Sequence, residues 1–380
     1  MEENTQDQAL ESKLLNACYD GNHELVSTLL EAGASVFCSD ETGRSPIHFA
    51  AASGDIETIK TILEAGLPWN LVDQGGYTAG DYALQTADSK EAYDYLVQFG
   101  YRTELVLGTI NRSEVPISTV QNPKPIQDEI IKDQEKHNTE NPNLEGKTKI
   151  PNIDYLNTPI TYIGDRLLDA QKNGVMMEWE EPIMQEHAKI ICSKPKAKIL
   201  NVGFGMGIID SKIQSFDPSL HVIVEAHNDV LNYMETNGWF SKPNVVVLRG
   251  RWQDKLTELV RLGPFDGIFF DTFGEFYSDM EEFHSSVFNK STPLLATDGI
   301  YSFFNGLGGH TLLFHDVYCL VAEFHLRQLG ATTKYIPIKI DLDTIDEETW
   351  KGVTRPYWML QQYNMPLCQW DTTSLGDISK

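Results

Sequence analysis

The chain has 380 residues, 41% apolar and 22% charged, enough for two or three globular domains with a sizeable core. Its net charge of −25 is opposite in sign to that of a general nucleic-acid binder, and no apolar run reaches the length of a membrane span. Five scattered cysteines without a CxxC pair (Cys18, Cys38, Cys192, Cys319, Cys368) argue against a zinc site and read as reduced intracellular thiols, and the polar start Met1-Glu2-Glu3-Asn4 has no signal-peptide pattern.

The first hundred residues repeat. Gly21 and Gly54, Gly33 and Gly66, and Gly43 and Gly76 are each 33 apart, which is the ankyrin period. Gly43-Arg44-Ser45-Pro46-Ile47-His48-Phe49-Ala50-Ala51 resembles the ankyrin pattern G-x-T-P-L-H-x-A-A, with a second helix over 56–65. The first unit starts near Leu14. The third, Gly76-Tyr77-Thr78-Ala79-Gly80, is degenerate, and its second helix is expected to end at Gly100. Degenerate outer units suit the caps of a short stack. His48 is expected to be a structural hydrogen-bonder rather than a catalytic residue. Residues 1–100 carry 17 acidic against 4 basic side chains, which suits a basic protein partner. Two readings stand for the stack: an interaction surface, or a cover for part of the following domain.

Residues 103–154 are rich in Asn, Pro, Lys, Gln, Glu and Thr. They read as a polar, partly disordered linker with one short helix over 126–136. A globular domain follows over 155–370, and 371–380 is expected to be a frayed tail. In the globular domain the spacing of apolar residues predicts a helix over 162–171, and Pro182 suits the first turn of another. Strands are expected over 245–248, 265–273, 299–303, 334–340 and 357–363, with helices over 229–237, 255–261, 279–288 and 315–328. This alternating series closing on a β-hairpin predicts an α/β fold. It is the class I S-adenosylmethionine-dependent methyltransferase type, a Rossmann-like seven-stranded sheet, preceded by an all-α ankyrin-repeat domain.

The centre of that domain is residues 199–225. An apolar run rises into Gly203-Phe204-Gly205-Met206-Gly207, and a second run, Val222-Ile223-Val224, ends on Glu225. Strand, glycine loop, helix, strand and acid make one βαβ unit with a nucleotide-sized crevice at its open end. Glu225 stands where a carboxylate accepts from ribose hydroxyls. The spacing GxGxG differs from the dehydrogenase GxGxxG and fits a ligand with a ribose and no pyrophosphate, such as S-adenosylmethionine. Two further carboxylates stand out: Asp271 at the end of its strand, and Glu180 beside Trp179 ahead of the sheet. Each alone reads equally as a helix-end or strand-end acid. Converged, they would grip a cation.

Val175-Met176-Met177-Glu178-Trp179-Glu180-Glu181-Pro182, Asn201-Val202-Gly203-Phe204-Gly205-Met206, Gly250-Arg251-Trp252-Gln253-Asp254 and Phe265-Asp266-Gly267-Ile268-Phe269-Phe270-Asp271-Thr272-Phe273 occur in order over about 160–365. They resemble blocks of guanidinoacetate N-methyltransferase. With ankyrin units ahead, the chain is similar to the fungal protein arginine N5-methyltransferases (type IV), which methylate the internal δ-nitrogen of arginine. The resemblance implies catalytic roles for Glu180 and Asp271, gripping the guanidinium. It implies cofactor contacts for Tyr162, Met176, Gly203, Gly205, Met206, Gly207, Ile208, Ile209, Asp210, Ser211, Glu225, Ala226, His227, Trp252, Gln253 and Asp271.

It also implies a basic, ribosomal-type protein substrate and a cytoplasmic and nuclear location. Departures are Asn201 for the family's acid, His227 for Asn, residues 294–299 for a glycine turn, and Phe304-Asn305 for the segment that reads a small substrate's carboxylate. Asn201's hydrogen-bonding role is thereby open. The proton acceptor is open too, among a carboxylate, water, Glu275 and Asp279. A small-molecule guanidino methyltransferase and an ankyrin scaffold with an inactive pocket are the alternatives.

Overall fold

The computed structural model describes residues 2–112, 153–272, 277–341, 345, 349–354 and 356–372. Six helices form the N-terminal stack: α1 (Glu2–Tyr19), α2 (His23–Glu31), α3 (Pro46–Ser53), α4 (Ile56–Glu64), α5 (Ala79–Gln85) and α6 (Lys90–Arg112). Asp55 starts α4 by accepting from the Thr58 N–H, and Thr78 starts α5 by accepting from Asp81. His48 is fully buried. Its Nδ1 accepts from the Ser45 N–H at 3.0 Å, leaving Nε2 to donate to the Tyr77 carbonyl at 3.2 Å. It thus ties one repeat to the next.

The helix expected to stop at Gly100 continues to Arg112, so residues 103–112 are helical and not linker. Gly100 is a contact residue here. A Cβ on it would stand 2.9 Å from both the Trp69 ring and Val317. The missing side chain lets α6 pack closely, and that outweighs glycine's weak helix propensity. Residues 113–152, with the helix expected over 126–136, and the tail from 373 lie outside the described residues.

After α7 (Ile153–Asn157) come β1 (Thr161–Ile163), β2 (Arg166–Leu168) and β3 (Gly174–Met177), an antiparallel three-stranded sheet. The helix expected over 162–171 is therefore a hairpin. Ile163 pairs with Arg166 across the two-residue turn Gly164-Asp165, and Gly164 has φ +58°. That turn chemistry outranks the apolar spacing.

The large sheet is built from β4 (Lys198–Val202), β5 (Leu220–Glu225), β6 (Val245–Arg249), β7 (Phe265–Phe270), β8 (Leu295–Phe303), β9 (Ala331–Lys339) and β10 (Gln362–Trp370). The helices around it are α8 (Glu181–Ile191), α9 (Ile208–Ser215), α10 (Asn228–Thr236), α11 (Leu256–Leu262), α12 (Tyr277–Val287) and α13 (Leu312–Gln328). The order is β6-β5-β4-β7-β8-β10-β9, parallel through β8, with β10 antiparallel to both neighbours. Leu200, Val202, Val222 and Phe270 pack on one face, and Ile199, Ile223 and Phe269 on the other. Covered faces on both sides explain the continuous apolar runs.

Two boundaries differ from expectation. Residues 295–299 begin β8 instead of forming a turn, and the last strand starts at Gln362 rather than 357. Tyr357 and Trp358 are freed to pack beneath the sheet's open end.

The stack docks on α13. Leu313, Val317 and Val321 of α13 belong to the stack's own core, Phe314 meets Trp69 edge-on at 5.4 Å, and the Tyr93 hydroxyl donates to Asp316 at 2.7 Å. The third unit therefore covers part of the α/β domain. No helix among the described residues is long and apolar enough to cross a membrane.

Candidate active site

The loops after β4, β5 and β7 meet at the sheet's open end, where open α/β sheets bind ligands. Gly203 follows β4, and its N–H donates to the Val224 carbonyl at 2.9 Å. The Asp271 N–H donates to the Val202 carbonyl, also at 2.9 Å. These bonds press the two loops together. A Cβ on Gly203 would stand 1.8 Å from the Asp271 carbonyl oxygen, and its φ is +94°. No other residue fits there. Gly207 caps α9 at φ +72° with the Phe204 ring against it.

A cavity of about 350 Å³ opens over this floor. Of the expected site residues, Met176, Glu180, Gly203, Gly205, Glu225, Ala226, Trp252, Gln253 and Asp271 line it. At one end Glu225, 8% exposed, accepts from three main-chain N–H groups: Phe204 at 2.9 Å, and Ala226 and His227 at 2.7 Å each. Burial raises its proton affinity and those bonds pull it back. Trp252 packs edge-on against Phe283 at 5.0 Å, forming a firm wall.

At the other end Glu180, 2% exposed, has Oε1 engaged by the Met177 N–H at 3.0 Å and by the Tyr357 hydroxyl. Burial, then the Asp271 charge, raises its pKa well above the usual carboxylate range. Asp271 is part-exposed, opens onto the cavity, and is raised by burial and then by the Asp210 charge. Two acids with raised proton affinity facing one cavity favour a bound cation.

The remaining expected residues stand behind the cavity wall. The Tyr162 hydroxyl donates to the Gly205 carbonyl at 2.9 Å, and its ring stacks on Tyr233 at 4.1 Å. It braces the loop from behind rather than closing over the cavity. The Met206 N–H points at the Met176 sulfur at 3.2 Å. Ser211 bonds back to the Gly207 carbonyl, Ile209 packs in the core, and Ile208 packs at its edge. Asp210 is fully buried, 3.1 Å from His221 Nε2 and 2.9 Å from the Asn201 amide nitrogen.

Asn201 also donates to the Gly203 carbonyl at 2.8 Å, so it does hold the loop, with the carboxylate supplied by α9. His227 caps α10 by accepting from the Asp229 N–H, and its Nε2 meets the Thr158 carbonyl at 2.9 Å. Its side chain is therefore engaged away from the cavity, and only its N–H reaches Glu225.

Among the lining residues that escape sequence reasoning are two tyrosines, Tyr155 and Tyr357. Tyr357 carried no signal, because its aromatic pair with Trp358 reads as a strand. Of the candidate proton acceptors, Glu275 lies outside the described residues and Asp279 falls within α12.

Residues 159–335 match the guanidinoacetate N-methyltransferase family, and residues 14–105 match three copies of the ankyrin repeat. The chain is similar to curated proteins named protein arginine N-methyltransferase 2. That of Yarrowia lipolytica is 42% identical over 247 residues, 62% of this chain and 51% of the relative, so the match spans about half of that protein. That of Aspergillus fumigatus is 38% identical over 322 residues, 79% of this chain and 74% of the relative. That of Cryptococcus neoformans is 34% identical over 388 residues, covering 94% of both.

Proposed function

Because the chain belongs to the protein arginine N-methyltransferase 2 family, and is thus a methyltransferase, we propose that it methylates the δ-nitrogen of arginine residues in a basic, ribosomal-type protein, with S-adenosylmethionine as donor. The observation that carries this reading is the pair Glu180 and Asp271 lining one cavity with the glycine loop and Glu225. The residues fit the donor. Gly203 and Gly205 leave the floor bare of side chains, Glu225 offers an anionic edge for ribose hydroxyls, and Trp252 and Gln253 form the wall for a flat base. When bound, S-adenosylmethionine supplies an electrophilic methyl group on its sulfonium.

The chain's residues supply the rest. A guanidinium is protonated at physiological pH and its lone pairs are delocalised, so it is a poor nucleophile. With Oε1 of Glu180 fixed by Met177 and Tyr357, Oε2 is left for a terminal guanidinium nitrogen. Asp271 takes the other. Charge-assisted bonds there concentrate positive charge on the terminal nitrogens and free the δ-nitrogen lone pair. Holding that nitrogen in place supplies much of the rate. Asp271, ionised when the guanidinium is bound, accepts the proton that the δ-nitrogen loses on methylation and passes it to water.

The Asn305 N–H donates to the Tyr363 hydroxyl at 2.8 Å and its side chain to the Asn364 carbonyl at 3.1 Å. Neither is offered to the carboxylate of a small guanidino acid, which favours an arginine within a chain. The test is mass spectrometry of hydrolysed arginine after incubating a basic ribosomal extract with the protein and labelled S-adenosylmethionine. δ-Monomethylarginine is the expected product. ω-Methylarginine would overturn the assigned nitrogen, and label in free guanidinoacetate alone would overturn the protein substrate.

A further inference from the structure

One face of the stack carries aromatic side chains that its docking on α13 leaves uncovered. Tyr19, at the end of α1, meets Phe49 of α3 edge-on at 6.4 Å. The Arg44 guanidinium lies 4.8 Å over Phe49, and the Tyr82 ring, its hydroxyl donating to Asp73 at 2.7 Å, meets His48 of α3 edge-on at 5.5 Å. Tyr82 and Tyr77 line a cavity of about 110 Å³ with Asp81. The run ends in open rings at both sides, Tyr19 at 56% and Tyr77 at 51% exposure.

The field over this face is negative. Of the four cations in residues 1–100, three are paired: Arg44 to Asp40 at 2.6 Å, Lys60 to Glu57 at 2.6 Å, and Lys90 to Asp94. Glu41 and Asp20 stand exposed beside the run. Aromatic faces within an acidic surround attract ammonium and guanidinium groups.

The face is also tied to the catalytic cavity. Gly306 and Leu307 line that cavity. His315 at the head of α13 bonds the Leu307 carbonyl at 2.8 Å, and a Cβ on Gly80, at the start of α5, would stand 3.0 Å from Leu313. The first turn of the third repeat thus packs on the helix that carries the cavity rim.

We propose that this aromatic, acidic face holds the lysine- and arginine-rich stretch of the protein substrate that flanks the target arginine. The inference rests on the reading above that the substrate is an arginine within a polypeptide. It assigns the stack a role in substrate affinity, with no part in the chemical step.

The test uses the full chain and two probes, a long lysine-rich peptide with a single arginine and a short peptide with the same arginine between neutral residues. Tyr19→Ala with Tyr77→Ala should weaken binding of the long peptide by roughly tenfold by fluorescence anisotropy. KM should rise in parallel at unchanged kcat, and the short peptide should be unaffected. Glu41→Lys, which removes no packing, should shift the same way and lose its effect at high salt.

Unchanged long-peptide affinity in the double variant, with methyl transfer intact, would overturn the face and leave the activity standing. Binding lost in the variant while no peptide is methylated by any form would retain the face and overturn the activity. Equal impairment of both peptides would reduce the face to a structural role. Self-association of the wild type that the double variant lacks would assign the face to a second copy and overturn the proposal.

Discussion

Glu225 and the pair Glu180–Asp271 line the same cavity and are held in opposite ways. Glu225 accepts three main-chain N–H groups supplied by its own loop and by Phe204. Glu180 accepts one N–H and one hydroxyl on a single oxygen, and the Asp271 side chain has no hydrogen-bond partner among the described residues. The fold completes the first anion by itself. The second end is left with two acids in a low-dielectric setting, neutralised by protons in the free protein and by the guanidinium when it binds. One end is thus a preformed shelf, and the other is finished by its ligand.

Gly203→Ala removes the comparison altogether, because the new Cβ would collide with the Asp271 backbone and displace both ends. We expect a loss of about 3 kcal/mol or more of stability, read by thermal unfolding, together with loss of nucleotide binding.

The pH dependence sharpens the contrast. In the free protein Glu180 and Asp271 titrate above the usual carboxylate range. Between an ordinary value of about 4 and those raised values, the folded chain holds protons that the unfolded chain has released. Stability of the free protein therefore falls as pH rises through that window. Guanidinium binding does the reverse, since it needs the ionised acids. Affinity for an arginine peptide should climb by up to about tenfold per pH unit for each acid that must ionise there, with proton release visible in calorimetry in buffers of different ionisation enthalpy. Affinity falling with rising pH would contradict the assignment.

Tyr357→Phe is the mildest probe. It removes one bond to Glu180 while keeping the ring that packs against Gly174. About 1 kcal/mol is at stake. This should appear as a several-fold drop in kcat with unchanged affinity for S-adenosylmethionine.

The glycine-loop end is legible in the sequence because its parts are contiguous. Gly203, Gly205 and Glu225 sit on one βαβ unit, where spacing along the chain translates into spacing in space. Glu180 and Asp271 were visible singly, but their convergence depends on a 3-10 turn leading into α8 and on the end of β7, which no local pattern links. Tyr357 comes from a third, distant segment. Gly100 and Gly164 show the other failure. Each was read from periodicity, while the deciding terms were a close approach to Trp69 and Val317 and a two-residue turn. The resemblance implies a cofactor contact for His227, whose side chain is engaged by Asp229 and Thr158.

The division between the two ends is tested most directly by comparing Glu180→Gln and Asp271→Asn with the wild type, measuring single-turnover methyl transfer to an arginine peptide and S-adenosylmethionine affinity on the same samples. Each variant should lose roughly 100-fold or more in rate while binding the nucleotide as the wild type does. Near-normal transfer in either variant, or loss of nucleotide binding matching the loss of rate, would contradict the account.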